Sequence, residues 1–454
     1  MALQSINPVN CEVVASFEEL TDEQVKLKIA LADAAFRAWR GVSFSVRSEC
    51  LRRLAAILVE RAEEYGKLMT LEMGKPLTQA MAEVKKCATS CDFYAENGAK
   101  FMAEEVVVSD ATESFVRRDP LGVVLAVMPW NFPFWQVVRA AAPALMAGNV
   151  MLLKHASNVP QCAMALEKAF LDAGFPEGVF TYLAIGSGKV AAVLDDERVV
   201  AATLTGSEEA GAKVAEQCGR NIKKTVLELG GSGPFIVMED ADLSLACATA
   251  VVARFQNCGQ SCIAAKRFIV MESVYDQFVA GFVAELALWK FGNPEDEQTQ
   301  IGPMYAKSGV SDIQRQVEQS MAMGARAVAG GKVSELGGAF FEPTILVDVT
   351  REMPVMNEET FGPVAAVYKV SSEEEAIEVA NESRFGLGAS LWTSDMARAK
   401  RIAALLDEGG VFVNGMVKSD ARLPFGGVKK SGYGRELGRE GMMEFVNVKT
   451  VWIK

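Results

Sequence analysis

The sequence predicts an α/β protein of several units, and three observations support that class. A length of 454 residues suggests about three units of roughly 150 residues, each large enough to bury a core. Beyond residue 119, short apolar runs alternate with helical segments, which is typical of βαβ units and a parallel sheet. Valine-rich stretches within 105–118 and 445–453 indicate strands outside that alternation.

The first hundred residues are predicted to be helical. Thr21 followed by Gln24 has the pattern of a capping box, and a helical periodicity runs over 21–96. Gly74, with a proline two residues later, indicates a helix end. The pattern then changes to two short β-branched runs separated by polar residues, which predicts a hairpin within 105–118.

Two α/β segments follow the hairpin. In the first, strands are predicted at 123–127, 150–153, 179–183 and 201–204, with helices from about Trp135, after Pro160 and after Gly188. In the second, strands are predicted at 235–238 and 268–271, with helices over 243–255 and 274–288. The second segment ends with residues 409–414. The alternation of valine and polar residues in 445–453 suits an edge strand that pairs with another strand.

Charge and hydropathy exclude several functions. The chain carries 46 Lys and Arg against 58 Asp and Glu, a net charge of −12, and its basic residues are scattered, so we expect no nucleic-acid partner. No apolar stretch reaches the roughly 18 residues of a membrane span, so we expect no membrane partner. The N-terminus lacks the basic and apolar regions of a secretory signal, and we therefore expect a cytoplasmic protein.

The histidine and cysteine content narrows the chemistry. His155 is the single histidine, which excludes a histidine-rich metal centre, and we expect no metal site. The nine cysteines form no C-x-x-C pair and are expected to be reduced thiols. Catalysis would then depend on Cys, Glu, Lys and Asn side chains.

Three residues stand in contexts that favour chemistry. Cys262 lies in a polar loop that contains glycine, where an accessible thiol can act as a nucleophile. Glu228 precedes a glycine turn among apolar neighbours that would raise its pKa towards that of a general base. Asn131, among aromatic residues and prolines, could donate from its amide to an oxyanion. Each context alone also fits a structural role, as an inert thiol, a turn cap or a satisfied buried amide.

Five motifs stand in one order along the chain. They are Pro-Trp-Asn-Phe-Pro at 129–133, Glu-Leu-Gly-Gly at 228–231, the cysteine loop at 257–262, Glu-Glu-Thr-Phe-Gly-Pro at 358–363, and a glycine-rich segment within 424–436. In this order they resemble the aldehyde dehydrogenase superfamily over nearly the whole chain. Within it, the short chain and the Phe-Gln-Asn sequence at 255–257 are most similar to the shorter bacterial succinate-semialdehyde dehydrogenases.

The resemblance implies an aldehyde dehydrogenase-like architecture. A Rossmann-type cofactor-binding domain would comprise 1–104 and 119–228, and an α/β catalytic domain would comprise 229–435. A β oligomerisation arm would combine 105–118 with 436–454. Because an exposed strand in such an arm needs a partner, we expect a homodimer or homotetramer.

The resemblance also implies roles for the three candidate residues. Cys262 corresponds to the nucleophile that attacks the aldehyde carbon and forms a thiohemiacetal. Asn131 and the Cys262 backbone N–H correspond to the oxyanion hole, which steadies the alkoxide from which hydride leaves to the nicotinamide. Glu228 corresponds to the base that activates water to hydrolyse the thioester. Its presence argues against a coenzyme A-acylating relative.

The expected cofactor site departs from the ordinary dinucleotide fingerprint. The chain has no G-x-G-x-x-G, and 186–188 is only a fragment of one. The resemblance implies that a helix N-terminus at Gly206 and Ser207 meets the pyrophosphate. The other implied cofactor contacts are Trp130, Lys154, Glu359 and Phe361.

Ser157 bears on which cofactor is used. In many NAD-preferring relatives a glutamate stands three residues after the lysine that corresponds to Lys154, and its charge would repel a 2′-phosphate. Ser157 removes that repulsion, Lys154 supplies positive charge, and His155 offers a further donor. NADP is therefore the predicted preferred cofactor, with NAD accepted as well. Alternatively, Ser157 only caps the helix that is entered through Pro160.

Three residues are predicted to receive the far end of the substrate aldehyde. Arg139 resembles the arginine that binds the substrate carboxylate in succinate-semialdehyde dehydrogenases, and Ser419 resembles an assisting serine. Gln256 stands where the longer forms carry a second arginine, so Arg139 with Gln256 is the predicted carboxylate site. The predicted channel walls are Phe132, Trp135 and Phe425.

Alternatives remain open at this point. Arg139 could instead face an acidic neighbour at the surface, and the substrate could be another aldehyde, such as glutarate semialdehyde. Cys258 stands four residues before Cys262, near enough for a regulatory disulfide if the backbone permits. A non-catalytic binding or scaffold protein on the same fold is the remaining class.

Overall fold

A computed structural model describes residues 3–454, and its first part is a hairpin followed by four helices. The hairpin, which the sequence did not predict, pairs β1 (Leu3–Asn7) with β2 (Glu12–Phe17). The helices are α1 (Asp22–Trp39), α2 (Phe44–Glu60), α3 (Ala62–Met73) and α4 (Leu77–Phe101). The capping box is confirmed, because the Thr21 hydroxyl accepts from the Gln24 N–H and the Gln24 side chain accepts from the Thr21 N–H. Gly74 has a φ of +77° and ends α3.

The chain then forms the predicted hairpin and the first α/β segment. The hairpin strands are β3 (Glu105–Val106) and β4 (Glu113–Pro120). The segment comprises β5 (Val123–Met128), α5 (Trp135–Ala147), β6 (Val150–His155), α6 (Pro160–Asp172), β7 (Phe180–Tyr182), α7 (Val190–Asp195), β8 (Val199–Thr205), α8 (Glu208–Arg220) and β9 (Lys224–Glu228). Its strands are parallel in the order β9-β8-β5-β6-β7, as the βαβ rhythm predicts.

The second α/β segment forms a seven-stranded sheet in the order β12-β13-β14-β11-β10-β16-β17. Its elements are β10 (Gly233–Val237), α9 (Leu243–Phe255), β11 (Ala265–Met271), α10 (Tyr275–Leu286), α11 (Lys307–Ala322), β12 (Arg326–Ala329), β13 (Thr344–Val347), α12 (Pro354–Asn357), β14 (Val364–Val370), α13 (Glu373–Asn381), β15 (Phe385–Gly386), β16 (Ala389–Trp392), α14 (Met396–Ala403) and β17 (Val411–Val413). Helix α9 has the bounds that the sequence predicts. β15 lies outside the sheet, and β12 is its one antiparallel strand among the described residues.

The C-terminal part returns to the first sheet and to the hairpin. Its elements are β18 (Val428–Lys429), β19 (Gly432–Tyr433), α15 (Gly438–Met443) and β20 (Val446–Ile453). β18 pairs with β15, and β19 adds antiparallel to β9 at the edge of the first sheet. β20 pairs antiparallel with the full length of β4, which gives an arm of three strands. Within residues 3–454, no strand covers the other edge of β20.

The carboxyl ends of three neighbouring parallel strands position the functional site. β5 ends at Met128 just before 129–133, β8 ends at Thr205 before a glycine turn, and β9 ends at Glu228. In open α/β sheets, ligands bind at this edge. The short turn 229–232 then carries the chain from the first sheet into the second.

Two negative findings hold for residues 3–454. No helix there is long and apolar enough to cross a membrane. No group of three or more His, Cys, Asp or Glu side chains among them is arranged to hold a metal ion.

Candidate active site

Cys262 lies where two cavities meet. One cavity, of about 210 Å³, is called the cationic cavity because Lys75, Lys86, Arg139 and Lys418 line it. The other, of about 480 Å³, is called the glycine-lined cavity because Gly206, Gly230 and Gly309 line it. Cys262 and Gln136 are the two residues that line both, within the part of the chain that the structure describes. A thiol in this position can contact ligands in both cavities at once.

The loop that carries Cys262 is fixed by buried contacts. Two of its residues, Asn257 and Cys258, have φ values of 54°, in the left-handed region. The fully buried Arg254 side chain donates to the carbonyls of Gly259 (3.0 Å) and Thr360 (3.2 Å). This arginine therefore joins the cysteine loop to the neighbouring segment 358–363.

The glycine pair after Glu228 permits close packing against Cys262. A Cβ at Gly231 would lie 2.5 Å from the Cys262 carbonyl oxygen, closer than real Cβ atoms approach. The Gly231 N–H also donates to Glu359 Oε1 at 3.0 Å. The predicted turn thus brings Glu228, Cys262 and Glu359 into one region, since backbone rather than side chain fills the space between them.

Asn131 has one amide proton directed at the cysteine loop. Its Nδ2 donates to the Gln260 carbonyl at 3.1 Å, and its Oδ1 accepts from the Gln136 amide at 3.1 Å. Its side-chain amide carries a second N–H, and the residue lines the glycine-lined cavity beside Cys262. This geometry leaves an N–H that can donate to an oxyanion on a substrate bound to Cys262.

A buried ion pair holds the segment 129–133. Lys75 and Glu83 pair in the interior, and Lys75 also donates to the Asn131 carbonyl at 2.9 Å. Glu83 Oε1 accepts from the backbone N–H groups of Phe134 (2.9 Å) and Trp135 (3.0 Å), as a carboxylate does at a helix N-terminus. Glu83 therefore fixes the start of α5, the helix that carries Arg139.

His155 does not face a cofactor, contrary to the expectation that it offers a donor to a 2′-phosphate. Its ring is 1% exposed, and Nε2 donates to the Pro133 carbonyl at 2.9 Å while Nδ1 accepts from the Ala156 N–H at 2.9 Å. Burial lowers the pKa of His155 to about 4. The neutral imidazole ties β6 to the segment 129–133.

Glu228 is a buried carboxyl without a hydrogen-bond partner among the described residues. It lines neither cavity, and a Cβ at Gly426 would lie 2.7 Å from its Oε1. Burial, followed by the negative charge of Glu436, raises the pKa of Glu228 well above its usual value. The protonated carboxyl is therefore favoured in this position, and Glu228 must lose its proton to act as a base.

The Cys262 thiol is also neutral at rest. Burial raises the pKa of Cys262 to about 11, and the positive charges of Arg139 and Lys266 offset only part of that rise. The Lys266 ammonium donates to Glu359 Oε1 at 2.8 Å and to the Cys262 carbonyl at 3.3 Å. Lys266 therefore joins the backbone of Cys262 to the carboxylate of Glu359.

The glycine-lined cavity contains five of the seven predicted cofactor contacts: Trp130, Gly206, Ser207, Glu359 and Phe361. Ser207 is the N-cap of α8, since its hydroxyl accepts from the Ala210 N–H, and the first amides of that helix offer donors to an anion. Trp130 stacks on Tyr305 with ring centroids 3.8 Å apart. Glu359 Oε2 makes no hydrogen bond within residues 3–454 and can accept from a ribose hydroxyl.

Lys154 and Ser157 lie outside both cavities. Lys154 is buried at the end of β6, and burial lowers the pKa of its ammonium. Ser157 is exposed. The alternative that Ser157 caps the following helix is wrong, because α6 has Val159 at its N-cap position and no capping side chain. The Ser157 hydroxyl is thus free of a capping role.

The cationic cavity contains all the predicted substrate contacts, Arg139, Gln256 and Ser419, and the predicted walls, Phe132, Trp135 and Phe425. Arg139 does have an acidic neighbour, Glu436, but the alternative that placed this pair at the surface is wrong, since both side chains are buried. The Arg139 guanidinium lies 4.7 Å from the Phe425 ring centroid. Arg139 therefore lines the cavity with its charge already balanced.

The sequence profile of the aldehyde dehydrogenase family matches residues 1–451 of the chain. The chain belongs to this family. A probable succinate-semialdehyde dehydrogenase [NADP(+)] of Synechocystis sp. is 53% identical over 454 residues, with both chains fully covered. The Mycobacterium tuberculosis succinate-semialdehyde dehydrogenase [NADP(+)] 1 is 50% identical over 456 residues, again with full coverage.

Solved aldehyde dehydrogenases have the same fold. The crystal structure of succinic semialdehyde dehydrogenase from Streptococcus pyogenes, in complex with NADP+, superposes with a TM-score of 0.97 at 40% identity, with 100% of each chain covered. The α/β aldehyde dehydrogenase fold predicted from the motif order is thereby confirmed.

The second cysteine of the loop, Cys258, packs away from Cys262. Cys258 is 1% exposed within the core of the second sheet, whereas Cys262 packs against the core of the first. Both are free thiols, and burial raises the pKa of Cys258 to about 12. A disulfide between them would require the loop to leave the contacts that Arg254 makes.

Sequence reasoning missed several residues that complete this aldehyde dehydrogenase site. Lys75 and Glu83 support the segment 129–133, Lys266 contacts Glu359, and Glu436 faces both Arg139 and Glu228. Glu436 stands inside the motif 424–436, which was the one available signal. Lys75, Glu83 and Lys266 lie outside the five motifs, and only the tertiary structure shows that they are buried.

Proposed function

We propose that the enzyme oxidises succinate semialdehyde to succinate with NADP as the preferred cofactor. The observation that carries the proposal is the place of Cys262, between a cavity with basic walls and a cavity with the family's cofactor residues. A short aldehyde with a distal carboxylate matches the first cavity in size and charge. The names of the relatives at 50–53% identity support the same substrate and cofactor.

The first half of the reaction takes place at Cys262. Its thiol loses its proton to solvent water, and the sulfur attacks the aldehyde carbon, so that the electron pair of the carbonyl π bond moves to the oxygen and gives the alkoxide of a thiohemiacetal. The unused Asn131 amide N–H and the Cys262 backbone N–H donate to that oxygen, where one such donor contributes about 3 kcal/mol. The nicotinamide ring, when bound, accepts the hydride that leaves the same carbon. The acyl group then remains on Cys262 as a thioester.

The second half of the reaction requires Glu228. Its carboxylate takes a proton from water as the water oxygen attacks the thioester carbon, and the C–S bond breaks to release succinate and the Cys262 sulfur. Because Glu228 lines neither cavity in the resting structure, its side chain must rotate towards Cys262 for this step. Deprotonation would favour that rotation, since a charge without a partner is unstable in its buried position.

The residues present fit a nicotinamide dinucleotide. Glu359 offers a carboxylate oxygen for the ribose, Trp130 and Phe361 offer apolar ring surfaces, and Gly206 with Ser207 precede the amides of α8 for the pyrophosphate. Lys154 lies near the end of β6, the strand next to β5, and Ser157 follows that strand. We assign them to the adenosine ribose and its 2′-phosphate.

The direct test is the initial rate with two aldehydes and two cofactors. We expect kcat/KM for succinate semialdehyde to exceed that for butanal by at least about 30-fold, because butanal lacks the carboxylate that the basic cavity binds. We also expect NADP to be preferred over NAD. Equal rates with both aldehydes would remove the substrate proposal, and equal rates with both cofactors would remove the cofactor proposal.

The variant Ser157→Glu should reverse the cofactor preference. A carboxylate beside the 2′-phosphate places like charges together, which costs several kcal/mol, so kcat/KM for NADP should fall at least about 30-fold while that for NAD holds or rises. The matched control Ser157→Ala removes the hydroxyl without adding charge and should change the ratio by less. An unchanged NADP to NAD ratio in Ser157→Glu would show that this position does not face the 2′-phosphate.

We also propose that the enzyme is a homodimer or a dimer of dimers in the cytoplasm. Within residues 3–454 no strand pairs with the outer edge of β20, and the strand carries exposed Val448, Trp452 and Ile453. An edge strand of this kind pairs readily with a second chain. All nine cysteines are free thiols, which suits a reducing compartment. In this proposal the cofactor-binding domain comprises 1–104 and 119–228, the catalytic domain comprises 229–435, and the arm combines 105–118 with 436–454.

A further inference from the structure

One positive charge in the cationic cavity lacks a carboxylate partner and is sheltered from solvent. The basic residues that line this cavity are Lys75, Lys86, Arg139 and Lys418. Lys75 pairs with Glu83 and Arg139 with Glu436, so these two charges are balanced. Lys418 is exposed to solvent. Lys86 is half-buried and forms no ion pair within residues 3–454.

The hydroxyl of Ser419 has a proton to donate. Its Oγ accepts from Lys86 Nζ at 2.7 Å and from Trp135 Nε1 at 3.1 Å, so both lone pairs of the oxygen are used. The hydroxyl proton has no acceptor among the described residues. Lys86 in turn donates one of its three N–H groups to Ser419. Its Nζ lies 4.2 Å from the Trp135 ring centroid. Two polar groups with spare donors therefore stand side by side.

Lys86, Trp135 and Ser419 mark the outer side of the cationic cavity, and Cys262 marks its side towards the glycine-lined cavity. These three residues also line an outer cleft, whereas Cys262 also lines the glycine-lined cavity. A substrate with its aldehyde carbon at Cys262 would thus direct its far end towards Lys86.

The surroundings of Lys86 do not favour its charge. Burial, followed by the positive charge of Arg139, lowers the pKa of the Lys86 ammonium to about 8. The charges of Glu83 and Asp420 act in the opposite direction but make no ion pair with it. An anion bound beside the ammonium would provide the missing partner.

We propose that Lys86 is a further specificity-determining residue, which binds the distal carboxylate of the substrate together with the Ser419 hydroxyl. This assignment rests on the proposed function and adds an unpaired positive charge to a carboxylate site in which Arg139 is paired with Glu436 through Nε.

The test is to compare two aldehydes of equal carbon number in Lys86→Met, Lys86→Arg and the wild type. Methionine keeps the length and apolar body of the side chain without the charge. For succinate semialdehyde we expect kcat/KM of Lys86→Met to fall about 10- to 150-fold, mainly through KM, as for one lost charge-assisted hydrogen bond. For butanal it should stay within about threefold, as no carboxylate is lost. Lys86→Arg should restore most of the loss.

The neighbouring exposed residue supplies the matched control. Lys85 is on the same helix and exposed, so Lys85→Met removes the same charge outside the cavity and should leave both aldehydes unaffected. Calorimetric binding of succinate, with butanoate as reference, tests the same contact without turnover. Only succinate should bind less tightly to Lys86→Met.

Two outcomes would overturn the assignment. Equal losses with both aldehydes in Lys86→Met would indicate a packing role, and no loss with either would leave Arg139 as the anchor. Both differ from failure of the proposed function itself, in which the wild type would already show no preference for succinate semialdehyde over butanal.

Discussion

Cys262→Ala should abolish aldehyde oxidation while leaving the cofactor site intact. Without the sulfur no thiohemiacetal forms, and the loss of a nucleophile of this kind lowers kcat by at least about 10,000-fold. Cofactor binding should persist, because the cofactor contacts lie on other elements. The measurements are the steady-state rate and the quenching of tryptophan fluorescence on addition of NADP, since Trp130 lines the glycine-lined cavity.

Cys11→Ala is the matched control for this prediction. Cys11 is partly exposed and stands in the turn between β1 and β2, away from both cavities, so its removal should leave the rate unchanged. A Cys262→Ala enzyme that retained more than about one hundredth of the wild-type rate would contradict a covalent mechanism through this residue.

Glu228→Gln should separate the two halves of the reaction. The first turnover should proceed and release one equivalent of reduced cofactor per subunit, after which the steady rate should fall about 100- to 10,000-fold, as for a lost general base. The thioester on Cys262 would then accumulate and be visible in the mass of the intact protein. Rapid-mixing absorbance of the reduced cofactor measures both phases.

The pH dependence of the steady rate tests the same residue. Because the pKa of Glu228 is raised by burial and then by Glu436, the basic form exists only above that raised value, and the hydrolytic rate should increase with pH above the range in which an ordinary glutamate ionises. The increase should be absent from the residual rate of Glu228→Gln. Glu335→Gln, at an exposed position, is the control. A wild-type steady rate in Glu228→Gln would show that another group activates water, and a low rate without a burst would show that Glu228 is already needed before hydride transfer.

Local sequence signals predicted the framework of the fold well. The capping box of Thr21 and Gln24, the bounds of α9 and the parallel βαβ strands all depend on residues close together in sequence, where propensity and periodicity act. The hairpin of β1 and β2 was missed, and its exposed residues Val13 and Val14 show why. It buries too little to give a clear alternation of apolar and polar positions.

The candidate site was predictable only in part, for a different physical reason. Asn131, Glu228 and Cys262 stand in motifs whose order the sequence displays. Lys86 follows Lys85 in α4, and the sequence alone gives no reason to expect that it faces anything but solvent. Its position is set by contact with Ser419, 333 residues later in the chain, and no local pattern encodes such a contact.

The buried imidazole of His155 gives the protein a spectroscopic reporter. Since the chain has one histidine, an isotope-labelled sample would give one set of ring resonances. The pKa of about 4 means that this ring does not titrate at neutral pH, so protonation would not obscure its chemical shifts. Because Nε2 donates to the Pro133 carbonyl, the resonances would report directly on movement of the loop that carries Asn131, including movement that accompanies ligand binding.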